Sequence, residues 1–285
     1  MPEFPIIDAH VHLYDPSVVR YGWMRGKPAL EGAHGLAELD AARGQVEIEG
    51  LVWIEVGADP GQHQGEPRWI ADLAAHESRI RGIVAHAPLE HGAAAAAEIE
   101  RLLEHRPLKG VRRLLQDEAD AAFCLRPGFI EGVRLLARHD LSFDICVYHR
   151  QLAAALELAR RCPEVRFVLD HLGKPGIQGG LMEPWRTQIE ALAALPNVWC
   201  KISGMITEAG HDWTRERLRP YLDHALEAFG SERVMFGSDW PVSEQTHRYQ
   251  TWVEIVDGAV RGASDAERRR LFRDNAVAFY RLDAA

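Results

Sequence analysis

The sequence predicts an α/β fold, a single (β/α)8 TIM-type barrel with some distortion allowed. Three observations carry that expectation. The chain has 285 residues, which suits one barrel domain of about 250 residues better than two large domains. Short apolar, β-branched runs recur along its whole length, mostly continuous rather than alternating, as strands do when helices cover a parallel sheet. Between most of them lie segments with helical periodicity.

In chain order, the candidate strands are Pro5–Ala9, Gly50–Val56, Ile80–His86, Gly110–Leu114, Ser142–Tyr148, Arg166–Asp170, Val198–Ile202 and Val234–Ser238. Helical patterns fill the gaps. Pro67–His76 places Ile70, Leu73 and Ala74 on one face, and Gly128–Arg138 does the same with Val133, Leu136 and Ala137. Leu152–Arg161, Pro184–Leu195 and Arg215–Phe229 repeat the pattern, and the alanine-rich run over 92–106 reads as a helix with a charged tail. A capping box, Ser264 with Glu267, opens the last helix. A doubly wound sheet is the alternative, but the first strand lacks a GxGxxG turn and no P-loop appears.

Composition narrows the function. Hydrophobic residues are 47% and charged residues 26%, enough for a sizeable core and against disorder. The formal charge of −9 argues against coating nucleic acid or an anionic membrane, and no apolar run approaches a membrane span. Cys124, Cys146, Cys162 and Cys200 form no CxxC pair and read as buried, reduced thiols. No signal peptide opens the chain and no linker divides it, so a cytoplasmic protein with one domain over 1–285 is expected, as monomer or homodimer.

Barrel active sites gather at the C-terminal ends of the strands, so each end is worth reading for chemistry. The first ends in Asp8-Ala9-His10-Val11-His12, whose two imidazoles fall on one side of an extended chain and can share a metal ion or polarise a carbonyl. Glu55 lies within an apolar run and needs a partner. Arg112 or Arg113 can clamp an oxygen-rich substrate. Tyr148 and His149 end the fifth strand, His171 and Lys174 follow the sixth, and Lys201 and Ser203 belong to the seventh, where Lys201 reads equally as an ion-pairing lysine. Asp239 ends the eighth. His10, His12, His171 and Asp239 come from three separate strands that a barrel makes converge. Trp23 and Trp240 are candidates for an apolar lid or a wall on which a sugar stacks, against a packing role. His86 ends the third strand with nothing beside it to support a role, and the other histidines read as solvated.

Together, the HxH, the segments DHLGKP and FGSDWP, and the terminal DNAVAFYRL resemble the amidohydrolase superfamily. The segments GVRRLLQDE, FDICVYHRQL, RFVLDHLGKP and NVWCKISGM are similar to its sugar lactonases of the L-fuconolactonase and L-rhamnonolactonase type, over 6–282. The resemblance implies hydrolysis of a small-molecule sugar lactone. By that pattern Asp239 activates the attacking water. His10, His12 and His171, with Asp239, bind one divalent metal (zinc or manganese, dispensable in some lactonases of this branch) or polarise the carbonyl. Trp23, Glu55, Arg112, Tyr148, His149, Lys174 and Trp240 would meet the substrate. Binuclear relatives bridge two metals with a lysine of a middle strand. Here Lys109 precedes the fourth strand and FDICVY has no lysine, so a binuclear site is not expected.

The physical logic fits lactone opening. A carboxylate deprotonates water, a cation or imidazoles stabilise the developing oxyanion, and Tyr148, His149 or Lys174 protonates the leaving hydroxyl. No GxSxG elbow and no HExxH helix appears. A metal-dependent decarboxylase on the same barrel is the first rival, and CO2 release distinguishes it. A non-catalytic sugar-acid-binding barrel is the second, and it has no need of a water-activating group.

Overall fold

The computed structural model describes residues 1–282. Eight parallel strands pair in sequence order: β1 Ile6–Val11, β2 Ile48–Ile54, β3 Ile80–Ala85, β4 Leu108–Val111, β5 Ser142–Ile145, β6 Arg166–Leu169, β7 Val198–Ile202 and β8 Val234–Phe236. The ring closes beyond the regular ladder. An isolated parallel bridge joins Val11 to Trp240, His12 N–H donates to Trp240 C=O at 2.8 Å, and Asp239 N–H donates to His10 C=O at 2.9 Å. This seam sets the end of β1 directly against the end of β8.

The helices are α1 Leu36–Ala42, α2 Gly65–Ala74, α3 Ala96–Leu102, α4 Pro127–Arg138, α5 Leu152–Arg161, α6 Trp185–Ala193, α7 Arg215–Phe229, α8 Tyr249–Ala259, α9 Asp265–Arg269 and α10 Asn275–Tyr280. The bounds expected for α5, α7 and β7 are those observed. The alanine-rich run is shorter as a helix than its composition suggests. A 3-10 segment, Leu89–Ala95, precedes α3, because Gly92 turns through φ 61° and lies against Gly128 of α4. The Ser264–Glu267 capping box is present at the start of α9. All four cysteines are buried and free. Among the described residues no helix is long and apolar enough to cross a membrane.

The barrel interior has two kinds of lining. Inside the barrel, Ile7, Ala9, Val52, Ile54, Val84, Val168 and Met235 pack with Phe279, Tyr280 and Leu282, which follow the last strand. The terminal motif thus plugs the barrel bottom, and Asn275 fixes it by donating to the Ser231 and Val234 carbonyls at 2.8 and 2.7 Å. Charge enters the interior at the same level. Asp144 is level with Val168 and Lys201 with Met235, so both carry charge into the barrel. Helices cover the outside through a continuous apolar layer that includes Trp53, Phe129, Phe143, Phe167 and Trp252.

Candidate active site

Six strands, β2 to β6 and β8, end earlier than the apolar runs suggest, whereas β1 runs on to Val11, and the chemistry begins where pairing stops. β5 stops at Ile145, three residues before Tyr148, and β6 stops at Leu169, just before Asp170 and His171. Free of the ladder, these segments take unusual backbone shapes. His171 has φ 54°, Lys174 φ 47° and Asp239 φ 60°, a left-handed region uncommon for residues other than glycine. Such conformations cost free energy and cluster at functional sites. In β1 the ladder slips between Asp8 and Val11, where Ala9 and His10 face the single residue Val52 of β2, a bulge that re-aims His10.

Four of the expected residues meet. His10 Nε2 is 3.2 Å from His12 Nε2, and Asp239 Oδ1 is 3.3 Å from His12 Nε2, 3.7 Å from His10 Nε2 and 3.9 Å from His171 Nε2. All four are buried. His12 is oriented by its Nδ1 contact to the Ile54 carbonyl at 3.0 Å, and His171 by Ser203 Oγ at 2.9 Å. Burial pushes His171 down to about 4, against the pull of Asp239 and Asp170, and lowers His10 well below its ordinary range. Burial alone would raise Asp239. The three facing imidazoles outweigh it and hold the carboxyl below the usual carboxylate range. At neutral pH the site therefore holds an ionised Asp239 carboxylate beside the neutral imidazoles of His10 and His171.

The donor set fits one divalent ion. Tetrahedral zinc with nitrogen at about 2.0–2.1 Å has ligands about 3.4 Å apart. The separations among His10 Nε2, His12 Nε2 and Asp239 Oδ1 (3.2, 3.3 and 3.7 Å) lie near that value. These three and the group His10, Asp170, His171 are the two metal-competent clusters among the described residues.

Beneath the cluster lies a buried charge network. Arg112 Nε donates to Glu55 Oε1 at 2.7 Å and Nη2 to the Glu55 carbonyl at 2.5 Å, while Nη1 is 3.4 Å from Asp170 Oδ2. Glu55 also accepts from Gly57 N–H at 2.7 Å. Lys201 Nζ reaches Asp144 Oδ2 at 2.5 Å and Asp170 Oδ1 at 3.0 Å. Tyr280 of α10 donates to Asp144 at 2.6 Å. Nearby, Glu66 of α2 accepts from Val56 N–H at 3.0 Å. Burial and the charge of Glu55 push its carboxyl up to about 8, so it carries its proton at neutral pH.

Above the cluster a cavity of about 460 Å³ opens. His12, His171, Asp239 and Arg112 form its floor, and Trp23, Tyr148 and Lys174 stand in its walls. Trp23 is 39% exposed but is held by its indole N–H on the Val56 carbonyl at 2.8 Å. Lys174 Nζ donates to Gln116 Oε1 at 2.5 Å and lies 5.1 Å from the Tyr148 ring centre.

Three expected residues sit elsewhere. Trp240 is fully buried and packs edge-on against His34 behind the cavity. His149 is turned away, with Nδ1 on the Lys174 carbonyl at 3.0 Å. Glu55 lines a neighbouring cavity of about 570 Å³, where His86 stacks on His63 at 4.0 Å. Lys27, Gln116, Asp117 and Gln245 also line the main cavity and carry no sequence signal, because they come from loops. Asp144 and Asp170 did carry one, since each is a carboxylate in an apolar run, as Glu55 is.

Known proteins resemble the chain over most of its length. The L-fucono-1,5-lactonase of Burkholderia ambifaria is 37% identical over 224 residues, 77% of each chain. That of Burkholderia multivorans is 34% identical over 97% of this chain and 96% of its own. A crystal structure of an amidohydrolase from Burkholderia multivorans with bound zinc superposes with a TM-score of 0.87 at 32% identity, covering 98% of this chain and 99% of that one. The amidohydrolase family model matches residues 7–282, and the chain belongs to that family of hydrolases.

Proposed function

We propose that the protein hydrolyses the ring ester of an aldonic acid, an aldonolactone of the L-fucono or L-rhamnono type. The observation that carries this reading is the ionised Asp239 carboxylate on the cavity floor, facing three imidazoles. Asp239 takes a proton from water as the water oxygen adds to the lactone carbonyl. The carbonyl oxygen, gaining charge, lies toward His10, His12 and His171, which stabilise it in a site largely closed to solvent. A divalent ion, zinc or manganese, held by His10, His12 and Asp239, would supply Lewis acidity for the carbonyl and for water. The tetrahedral adduct collapses, the ring C–O bond breaks, and the departing oxygen takes a proton from Lys174 or Tyr148. The product is an open-chain hydroxy acid, which releases a proton to the medium at neutral pH. Gln116, Asp117 and Gln245 offer donors and acceptors to sugar hydroxyls, and Trp23 offers an apolar face.

A panel of 1,4- and 1,5-aldonolactones, followed with a pH indicator with and without chelator, tests the reading. Acid release above the uncatalysed rate, without CO2, is the expected result. No turnover across the panel would defeat it, and CO2 from an aromatic acid would put the decarboxylase in its place.

A further inference from the structure

Asp8 is fully buried beside the catalytic cluster and has no part in the hydrolytic scheme. Its neighbours Ile7 and Ala9 face the barrel interior, so strand alternation turns the Asp8 side chain outward, toward α8. A buried carboxylate needs donors, and three are present. Oδ1 accepts from Ser238 N–H at 2.8 Å and from His10 N–H at 3.2 Å, and Oδ2 accepts from the Tyr249 hydroxyl at 2.8 Å. One oxygen thus bridges the backbone of His10 to that of the residue before Asp239.

The bridge stands at the seam, where β1 and β8 lack a regular ladder. Each backbone N–H over 238–240 has a partner there. Ser238 N–H goes to Asp8 Oδ1, Asp239 N–H to His10 C=O at 2.9 Å, and Trp240 N–H to Ser238 Oγ at 3.0 Å. Gly237 permits the close approach, since a side-chain carbon on it would fall 2.7 Å from His10 Cβ. Asp239 follows at φ 60°, a conformation that persists only where its surroundings enforce it. The Asp8 bond fixes the peptide that leads into that turn. It is also the one of these bonds made by a β1 side chain, so it can be removed while Asp239 N–H on His10 and His12 N–H on Trp240 still close the barrel.

We propose that Asp8 is a positioning residue whose carboxylate ties Ser238 to His10 and thereby sets where the Asp239 carboxylate stands against His12. The effect on turnover rests on the lactone reading and the effect on geometry does not, so the two ideas fail separately.

Two variants separate the bridge from the charge and from the fold. In Asp8→Asn the amide oxygen still accepts from both N–H groups, and Nδ2 donates to the Tyr249 hydroxyl oxygen. In Asp8→Ser the hydroxyl can accept from His10 N–H two residues on, but it is one atom too short to bridge to Ser238. Crystal structures of the metal-free wild type and variants compare Asp239 with His12. The Asp239 carboxylate should shift by more than about 0.5 Å, the tolerance of a catalytic constellation, in Asp8→Ser and by less in Asp8→Asn. On the best lactone, kcat should fall about 10–100-fold in Asp8→Ser with KM changed far less, and Asp8→Asn should restore most of it. A role in stability alone would lower the Tm of Asp8→Ser and leave the kcat of the folded enzyme unchanged. An unmoved Asp239 or an unchanged kcat in Asp8→Ser overturns the proposal, as does an Asp8→Asn displaced or slowed as much as Asp8→Ser. Failure of Asp8→Ser to fold also overturns it, because the bridge would then serve barrel closure itself. If no lactone is turned over by the wild type, the structures decide alone.

Discussion

Replacing Asp239 by Asn changes one oxygen of the carboxylate to an amide nitrogen and removes the charge. The local backbone should tolerate it. Asp239 sits at φ 60°, a region that Asn enters as readily as Asp, and its N–H bond to His10 C=O does not involve the side chain. The new amide group can donate to His12 Nε2, where the carboxylate oxygen lay at 3.3 Å. Stability should therefore stay near that of the wild type. The rate should not. A positioned general base contributes about 10²–10⁴-fold, or roughly 3–5 kcal/mol of barrier, and an amide cannot accept the proton from water. The expected kcat on the best lactone is lower by about three orders of magnitude, with KM changed far less. An indicator assay of lactone opening gives kcat, and thermal unfolding confirms the fold. A kcat within about tenfold of wild type in the folded variant would refute Asp239 as the base.

Other expectations follow from the same geometry. Glu66 is protonated when folded because burial raises it to about 8, against about 4.3 when unfolded, so the native state binds the extra proton between those values. Wild-type stability from this group is present at low pH and is lost as pH rises from about 4.3 toward 8, whereas Glu66→Gln has no such slope. Urea titrations at pH 5 and pH 8 should show the variant gaining on wild type at the higher pH. His171 has the opposite sign. Its folded value near 4 lies below the unfolded value of about 6.5, so its contribution is lost as pH falls through that window. His171→Gln should flatten the acid side of the stability curve, read by the same titrations. Lys174→Met removes a cavity cation that donates to Gln116, and kcat/KM should fall about 10–100-fold with Tm little changed. Phe279→Ala leaves a void in the barrel plug and should cost about 3–5 kcal/mol in denaturant unfolding without altering KM.

Much of this was legible in the chain before folding. Helix-covered parallel strands must be apolar on both faces, so β7 and its neighbours stand out as runs such as VWCKI and RFVL. His10, His12, His171 and Asp239 were visible because each breaks such a run at its end. FDICVY buries Asp144 as surely as VWIEV buries Glu55, yet its partner Lys201 is 57 residues away and only the barrel makes them neighbours. The cavity walls are harder to read. Gln116, Asp117 and Gln245 lie in loops whose paths depend on tertiary packing, and polar loop residues carry no periodicity. Trp240 shows the opposite limit. Its place after Asp239 suggested a wall of the cavity, but the β1–β8 seam uses its carbonyl and folds the ring back against His34.

The plug at the barrel bottom has a consequence for the order of events during synthesis. Tyr280 holds Asp144, Asp144 holds Lys201, and Lys201 touches His10 in the first strand. Translation makes β1 long before Tyr280. A nascent chain on the ribosome can pair its early strands, but His10 lacks the last of its support until the residues around 280 have left the exit tunnel. The support of His10 is therefore complete only once α10 is in place, rather than growing in proportion to the length of chain released.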